Sequence, residues 1–211
     1  RGRFAPSPTG PLHFGSLIAA VASYCQAKTS HGEWLLRIED IDRLREVTGA
    51  SDNIIHDLEK MGFEWDGPVT YQHNRLEYYQ TAFERLKEQQ LIYSCSCSRK
   101  NVAKLNPSGR YPGTCRNGLA DKNAIKTSWR IHTASQRICF ADHIQGIVNY
   151  DLETDIGDFI VQRSDGLFSY QLAVAVDDVL QEITEVVRGY DLLDSTPRQI
   201  FVQQQLGYDS P

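Results

Sequence analysis

Near the start of the sequence, Arg3-Phe4-Ala5-Pro6-Ser7-Pro8-Thr9-Gly10 is followed at once by His13-Phe14-Gly15-Ser16. This string has the residue types of an anion-binding turn. A strand that ends in a rigid loop, whose last residues open a helix, leaves free backbone N–H groups at the helix's positive end. An anion is favoured there, typically a phosphate. Gly15 would let a nucleotide approach closely, and His13 would offer a hydrogen bond to phosphate or ribose. On His-x-Gly alone, the plainer reading of a proline-rich turn with a surface histidine is favoured, since such short motifs are unspecific. A second group is Cys95-Ser96-Cys97 with Cys115, three thiols within about twenty residues. Structural zinc takes four ligands and this spacing supplies three, so three reduced cysteines in a small core remain the other reading.

Elements must hold these residues in place. Residues 2–5 are apolar enough for a buried strand, and Pro6-Ser7-Pro8-Thr9-Gly10-Pro11 forces a turn-rich loop. Residues 16–28 predict a helix with Ser16 near its start, and residues 33–38 a second strand. Strand, loop, helix, strand is the beginning of a parallel α/β sheet. Two amphipathic helices follow. In residues 51–61, Ile54, Leu58 and Met61 share a face and Gly62 stops the helix; in 75–90, Leu76, Tyr79, Phe83 and Leu86 do the same. Cys25, on a helix with apolar neighbours, reads as core.

From residue 91 to 156 the pattern changes to short strands, cysteines and turns around Asn106-Pro107-Ser108-Gly109 and Tyr111-Pro112-Gly113. The division is therefore 1–90, the first half of an α/β domain; 91–156, an insertion; and 157–211, the second half. That half holds strand-like 158–163, the turn Ser164-Asp165-Gly166, strand-like 167–170 and an apolar run to Val176. A strand at 185–189 meets a loop, and Thr196-Pro197 starts a helix through Leu206 closed by Gly207.

The bulk properties bound the answer. The 211 residues are 41% apolar and 23% charged, ordinary for a soluble globular chain. No apolar run approaches the roughly 18 residues of a membrane span, and no signal peptide precedes the first strand, so a cytoplasmic protein without a membrane partner is expected. The net charge of -5 argues against one broad basic surface for nucleic acid but leaves room for local basic patches. Five cysteines, an odd number, argue against a disulfide framework and fit a reducing compartment. The chain starts at Arg1 and stops at Pro211, and reads as a piece of something longer.

The string from Arg3 to Ser16 resembles the signature of the glutamyl/glutaminyl branch of the class I aminoacyl-tRNA synthetases. Three further segments agree in the branch's order. They are Arg37-Ile38-Glu39-Asp40-Ile41-Asp42, the run Tyr170 to Asp178, and Val187-Arg188-Gly189-Tyr190-Asp191 with Ser195-Thr196-Pro197-Arg198-Gln199. Within the branch, His13-Phe14-Gly15-Ser16-Leu17-Ile18-Ala19-Ala20 is similar to the short members that esterify glutamate to queuosine, the modified wobble base of tRNA(Asp).

The resemblance implies a Rossmann-like parallel-sheet nucleotide-binding catalytic domain interrupted by a zinc-bearing α+β insertion. It implies activation of L-glutamate with ATP, magnesium accompanying the nucleotide, and transfer to tRNA(Asp) bearing queuosine, by a chain expected to be a monomer. The glutamate site falls on Arg3, Phe4, Ala5, Pro6, Ser7, Glu39, Tyr170 and Arg188. Two arginines would fork onto the carboxylates while one acid takes the ammonium. ATP falls on His13, Gly15 and Asp191, and the catalytic positions on His13, Gly15 and Ser16. A lysine-bearing second ATP loop would lie beyond Pro211. Zinc would take Cys95, Cys97, Tyr111 and Cys115, with His132 and Cys139 as substitutes for Tyr111. Two rivals stand beside this reading: a fragment of an ordinary glutamyl-tRNA synthetase, and a zinc-containing RNA-binding paralogue without activity.

Overall fold

The computed structural model describes residues 1–133 and 135–211. They form two compact units. The first comprises residues 1–78, 177–193 and 209–211, and the second residues 79–176 and 194–208.

The first unit is built on three short parallel strands, β1 (Gly2–Phe4), β2 (Trp34–Ile38) and β3 (Thr70–Tyr71), in that order. The register sets Arg3 beside Leu35 and Arg37 beside Thr70. Helix α1 (Phe14–Thr29) connects β1 to β2, and α2 (Ala50–Lys60) follows β2. Phe4, Ala20, Ala27, Trp34, Leu36, Ile38, Ile54 and Leu58 make one core. Trp34 stacks on Phe63 with ring centres 5.5 Å apart, takes the edge of Tyr24 at 5.0 Å, and donates its indole N–H to Ser23 Oγ at 2.9 Å. Its one polar side-chain atom is thereby satisfied in the interior.

Helix α3 (Leu76–Glu88), preceded by a 3-10 turn at Gln72–Arg75, passes from the first unit into the second. The second unit continues with β4 (Ile92–Cys95), α4 (Arg99–Leu105), β5 (Ser128–Ile131), β6 (Arg137–Asp142), β7 (Gly146–Asp151), a π-helical turn at Leu152–Ile156, and β8 (Phe159–Gln162). Strands β4, β5 and β8 form an antiparallel sheet in that order, and β6–β7 is a hairpin. Helix α5 (Tyr170–Leu180) carries the chain back into the first unit, and α6 (Ser195–Gln205) closes the second. No helix among the described residues is long and apolar enough to cross a membrane.

The structure departs from the sequence expectations in several places. Met61 and Leu76 are exposed, at 55% and 43%, because each lies just outside the turns whose apolar faces are buried: Met61 caps α2 and Leu76 begins α3. Cys25 is exposed as well, since α1 buries the face that carries Ala20, Ser23 and Ala27. Residues 185–189 are not a strand. The N–H groups of Thr184 and Glu185 both bond to the Arg1 carbonyl, so two successive donors meet on one acceptor where a ladder would alternate along β1. Residues 167–170 contribute one isolated bridge, Phe168 with Gln162, before α5 begins at Tyr170. Helix α6 starts one residue before Thr196, with Asp194 at its cap. Helix α4 has no counterpart in the sequence reading; Ser98 Oγ accepts the Asn101 N–H and starts it, while Val102 is buried.

Candidate functional site

The first candidate site begins where β1 runs into the proline loop. Pro6 O accepts the Glu39 N–H at 2.9 Å and Pro8 O the Val47 N–H at 2.9 Å, so the loop is fixed to the chain leaving β2. Phe4 is buried in the core beneath, Pro6 is buried, Ala5 is half-buried and Ser7 is exposed. His13 caps α1. Its Nδ1 accepts the Ser16 N–H at 3.2 Å, and Nε2 lies 3.1 Å from Ser16 Oγ. A Cβ on residue 15 would sit 3.1 Å from the His13 ring, so glycine there is what lets the imidazole fold over the helix start. His13, Gly15 and Ser16 are thus brought together at an exposed helix N-terminus, where the macrodipole favours an anion.

Behind this loop lies a buried charge network that goes beyond the site residues expected from sequence. Arg37 is fully buried on β2. Its Nη2 donates to Asp178 Oδ1 at 2.7 Å and lies 3.5 Å from Glu39 Oε1, and its Nη1 donates to Gln181 Oε1 at 2.6 Å. Asp178 also receives both Nε and Nη2 of Arg3, at 3.0 and 3.1 Å. Asp177 takes Gln72 Nε2 at 2.9 Å and Arg75 Nε at 2.6 Å. Arg3 and Glu39, both predicted site residues, are therefore joined through Arg37 and Asp178. The network was legible only as charges inside apolar runs, Leu36-Arg37-Ile38 and Val176-Asp177-Asp178, since an unpaired buried charge is costly and implies partners.

Electrostatics separates the carboxylates. Burial pushes the Glu39 carboxyl up; Arg37 and Arg3 pull it down and Asp178 and Asp177 oppose them, leaving it raised to about 7. Asp178 is buried too, but Arg3 and Arg37 outweigh that and hold it below the usual carboxylate range. Glu39 is thus the buried acid of this network that changes charge near neutral pH, and a cation arriving beside it would favour its ionised form. Beyond β2, Asp40 accepts the His73 backbone N–H at 2.9 Å and holds the His73 ring in a short contact with Nδ1. Arg188 is half-buried, and Asp191 is exposed with its carboxylate folded back against Gly189. Tyr170, the first residue of α5, belongs to the second unit.

The second candidate site lies wholly in the second unit. The sulfurs of Cys95, Cys97 and Cys115 all lie within 4.8 Å of one another, with Cys97 and Cys115 3.7 Å apart. Tetrahedral zinc with Zn–S near 2.3 Å requires sulfurs about 3.7 Å apart, so the donor set fits that ion. The Tyr111 hydroxyl is 3.3 Å from Cys95 Sγ and 3.7 Å from Cys97 Sγ, and accepts the Cys115 N–H at 2.8 Å. His132 and Cys139 are outside the cluster. Burial opposes ionisation of Cys115, yet the Tyr111 hydroxyl, the Ala120 N–H and the Ser96 groups outweigh it and lower the thiol to about 6. Burial raises Cys97 to about 11. Arg130 donates Nε to Cys95 Sγ at 3.3 Å and stacks 3.9 Å over the Tyr111 ring. Gly157, at φ +70°, allows the bridge to Tyr111 that a Cβ would break by meeting the Tyr111 carbonyl at 2.8 Å.

A parallel-sheet unit with a capped helix N-terminus and a buried Arg–Asp–Glu network describes an α/β catalytic domain, and the cysteine cluster lies in sequence between the network's two halves. Residues 1–211 match the family of "tRNA synthetases class I (E and Q), catalytic domain" over their whole length, and the chain belongs to that family. More narrowly, it is 55% identical, over 99% of its length and 71% of the relative's, to the Glutamyl-Q tRNA(Asp) synthetase of Dechloromonas aromatica. With the protein of the same name from Aromatoleum aromaticum it shares 52% identity over 100% of its length and 67% of the relative's. Among solved structures it is similar to a glutamate tRNA ligase of Elizabethkingia meningosepticum in complex with its amino acid, with a TM-score of 0.86 and 28% identity. That match covers 99% of this chain and 47% of the ligase, so the chain spans about half the length of the solved enzyme.

Proposed function

We propose that this chain is the catalytic region of a ligase that activates L-glutamate with ATP and esterifies it to queuosine in tRNA(Asp). The observation that carries the reading is the 55% identity over nearly the whole chain to a Glutamyl-Q tRNA(Asp) synthetase, joined to a site whose charges suit this substrate. Glutamate has one ammonium and two carboxylates. Glu39 is assigned to the ammonium, Arg3 and Arg188 to the carboxylates, Ala5 to Ser7 to the wall, and Tyr170 to fixing the substrate.

In the first step the α-carboxylate oxygen bonds to the ATP α-phosphorus and the bond to the bridging oxygen of the β-phosphate breaks, releasing pyrophosphate. No protein nucleophile is needed; alignment and charge stabilisation suffice. His13 and the N–H groups at the start of α1, with Gly15 and Ser16, are assigned to the phosphates, with Asp191 on the ribose. In the second step a hydroxyl of the queuosine cyclopentene diol attacks the acyl carbon, AMP leaves, and the hydroxyl proton passes to solvent or to AMP. Magnesium would enter with the triphosphate. Zinc held by Cys95, Cys97, Cys115 and Tyr111 would be structural, cross-linking an insertion whose short strands bury little apolar surface.

The RNA assignment has support in the distribution of charge. Residues 89–141 contain nine of the 22 Lys and Arg but one of the 27 Asp and Glu. Arg99, Lys100, Lys104, Lys122 and Lys126 are exposed there. A chain of net charge -5 thus carries a local cationic segment of the kind that meets phosphates.

The experiment is glutamate transfer by the full-length protein to tRNA(Asp) with and without queuosine, with periodate cleavage of the diol as control. Transfer that needs queuosine and is lost after periodate is expected. Charging of a queuosine-free tRNA at its terminal adenosine would instead make this an ordinary glutamyl-tRNA synthetase. Absence of glutamate-dependent ATP–pyrophosphate exchange would leave an RNA-binding paralogue.

A further inference from the structure

We infer that Arg37 and Asp178 are positioning residues of the amino-acid site. Asp178 occupies the Nε–Nη2 edge of Arg3 so that Nη1 is presented to a bound carboxylate, and Arg37 couples that brace to Glu39. The inference rests on the proposed glutamate site, which it deepens.

The geometry is specific. A guanidinium has two bidentate edges, and Asp178 takes the Nε–Nη2 edge of Arg3 with two bonds of 3.0 and 3.1 Å. Nη1 meets the Val187 carbonyl at 3.4 Å, a marginal distance. A fork made by Nε and Nη2 on a ligand is therefore excluded while Asp178 is in place, and a ligand carboxylate must approach the Nη end. Asp178 is held in turn by Arg37 Nη2 at 2.7 Å, and the same Nη2 lies 3.5 Å from Glu39 Oε1. One nitrogen thus bonds the acid that braces Arg3 and lies within ion-pair distance of the acid assigned to the ammonium. Arg37 is itself immobilised: it is fully buried, its Nη1 is on Gln181 Oε1, and Gln181 Nε2 is on Thr70 Oγ1 at 3.0 Å. The charged and titratable groups facing Glu39 are Arg3 from β1, Arg37 from β2, and Asp177 and Asp178 from α5. Removing Arg37 would take away the largest attraction favouring Glu39 ionisation, and removing the Asp178 charge would free Arg3 to rotate. Ordinary structural braces would not be expected to act selectively on one substrate. This one should, because both ends terminate on groups assigned to glutamate.

The test uses the full-length protein and two readouts. In ATP–pyrophosphate exchange, Asp178→Asn is expected to raise the glutamate KM about 10-fold or more, as removal of a hydrogen bond between charged groups does, with the ATP KM within about 2-fold of the parent. Arg37→Lys, which keeps the charge but cannot serve Asp178, Glu39 and Gln181 at once, should raise the glutamate KM and move the acid limb of its pH profile upward. A folded Asp178→Asn protein with a parental glutamate KM, or with both KM values raised alike, would overturn the inference. The second readout needs no substrate. Nitrogen-15 NMR of the parent should show the Arg3 Nε–H protected from exchange, identified by its absence in Arg3→Lys, and unprotected in Asp178→Asn. An unprotected Arg3 Nε–H in the parent overturns the brace even if no variant folds. If the parent shows no glutamate-dependent exchange, it is the proposed function that fails, and the NMR result alone decides the brace.

Discussion

At the level of single residues, the decisive feature is a carboxyl group poised between charge states. Glu39 is raised from its usual 4.5 to about 7 because burial outweighs Arg37 and Arg3. A raised folded-state value means the folded chain binds more protons than the unfolded one between those two pH values. Stability is then fully present below about pH 4.5 and is lost as pH rises through 7, by up to about 3 kcal/mol. Denaturant unfolding of the parent and Glu39→Gln from pH 5 to 8 measures this: the parent's midpoint should fall relative to the variant's, and parallel curves would show that Glu39 does not titrate. A bound ammonium reverses the sign of the demand, so the glutamate KM should fall over the same window. His13 has two roles that can be told apart. Because it both caps α1 and is assigned to the phosphates, His13→Ala should cost about 1 kcal/mol of stability, as removal of an N-cap does. It should lower kcat in pyrophosphate exchange by about 100-fold while changing the glutamate KM little. An unchanged kcat with the same stability loss would reduce His13 to a cap.

Among the elements, what was legible in the sequence and what was concealed divide along one physical line. Where a local signal fixes a local structure, sequence and structure agree: α1, β1, β2, α2 and α3 follow from apolar periodicity and from punctuation such as the proline loop and Gly62. The Arg3–Ser16 string was recognisable because loop, cap and glycine are contiguous. Partners far apart in sequence were not recoverable. Nothing in Arg37 alone names Asp178, 141 positions later. Residues 185–189 have strand composition, but Glu185 shares the Arg1 carbonyl with Thr184 and the segment is not a strand, which composition cannot express. In the cysteine segment the spacing supplied three ligands and left the fourth open, whereas the fold puts the Tyr111 hydroxyl against two of the sulfurs and leaves His132 and Cys139 outside. Purified under reducing conditions, the protein should contain one zinc per chain by elemental analysis. A strong chelator should melt the region from β4 to β5 in hydrogen exchange while β1–β2 amides keep their protection. Cys97→Ser should reproduce that loss, and Cys139→Ser should not. Full metal content in Cys97→Ser would sink the cluster as a site.

For the molecule as a whole, the two chemistries proposed above fall on separate stretches of chain. The groups assigned to glutamate and ATP are mostly in the first unit, and the cationic segment is in the second. Activation and RNA capture should therefore be separable by mutation. Lys122 and Lys126 are exposed and lie in a stretch with Asp121 as its one acid, so reversing both charges removes local attraction without touching the core. Lys122→Glu combined with Lys126→Glu should leave glutamate-dependent pyrophosphate exchange at the parental rate and raise the KM for tRNA(Asp) about 10-fold at low salt. The slope of log affinity against log salt should become shallower by about 1 for each phosphate that is no longer neutralised. The same substitutions at high salt should matter far less, since screening has already removed most of the attraction. Fluorescence binding of tRNA(Asp) across a salt series measures both quantities. Parallel salt slopes for parent and variant would mean that these lysines do not face the phosphates. A fall in pyrophosphate exchange would mean that the two chemistries are coupled through the chain and cannot be assigned to separate stretches.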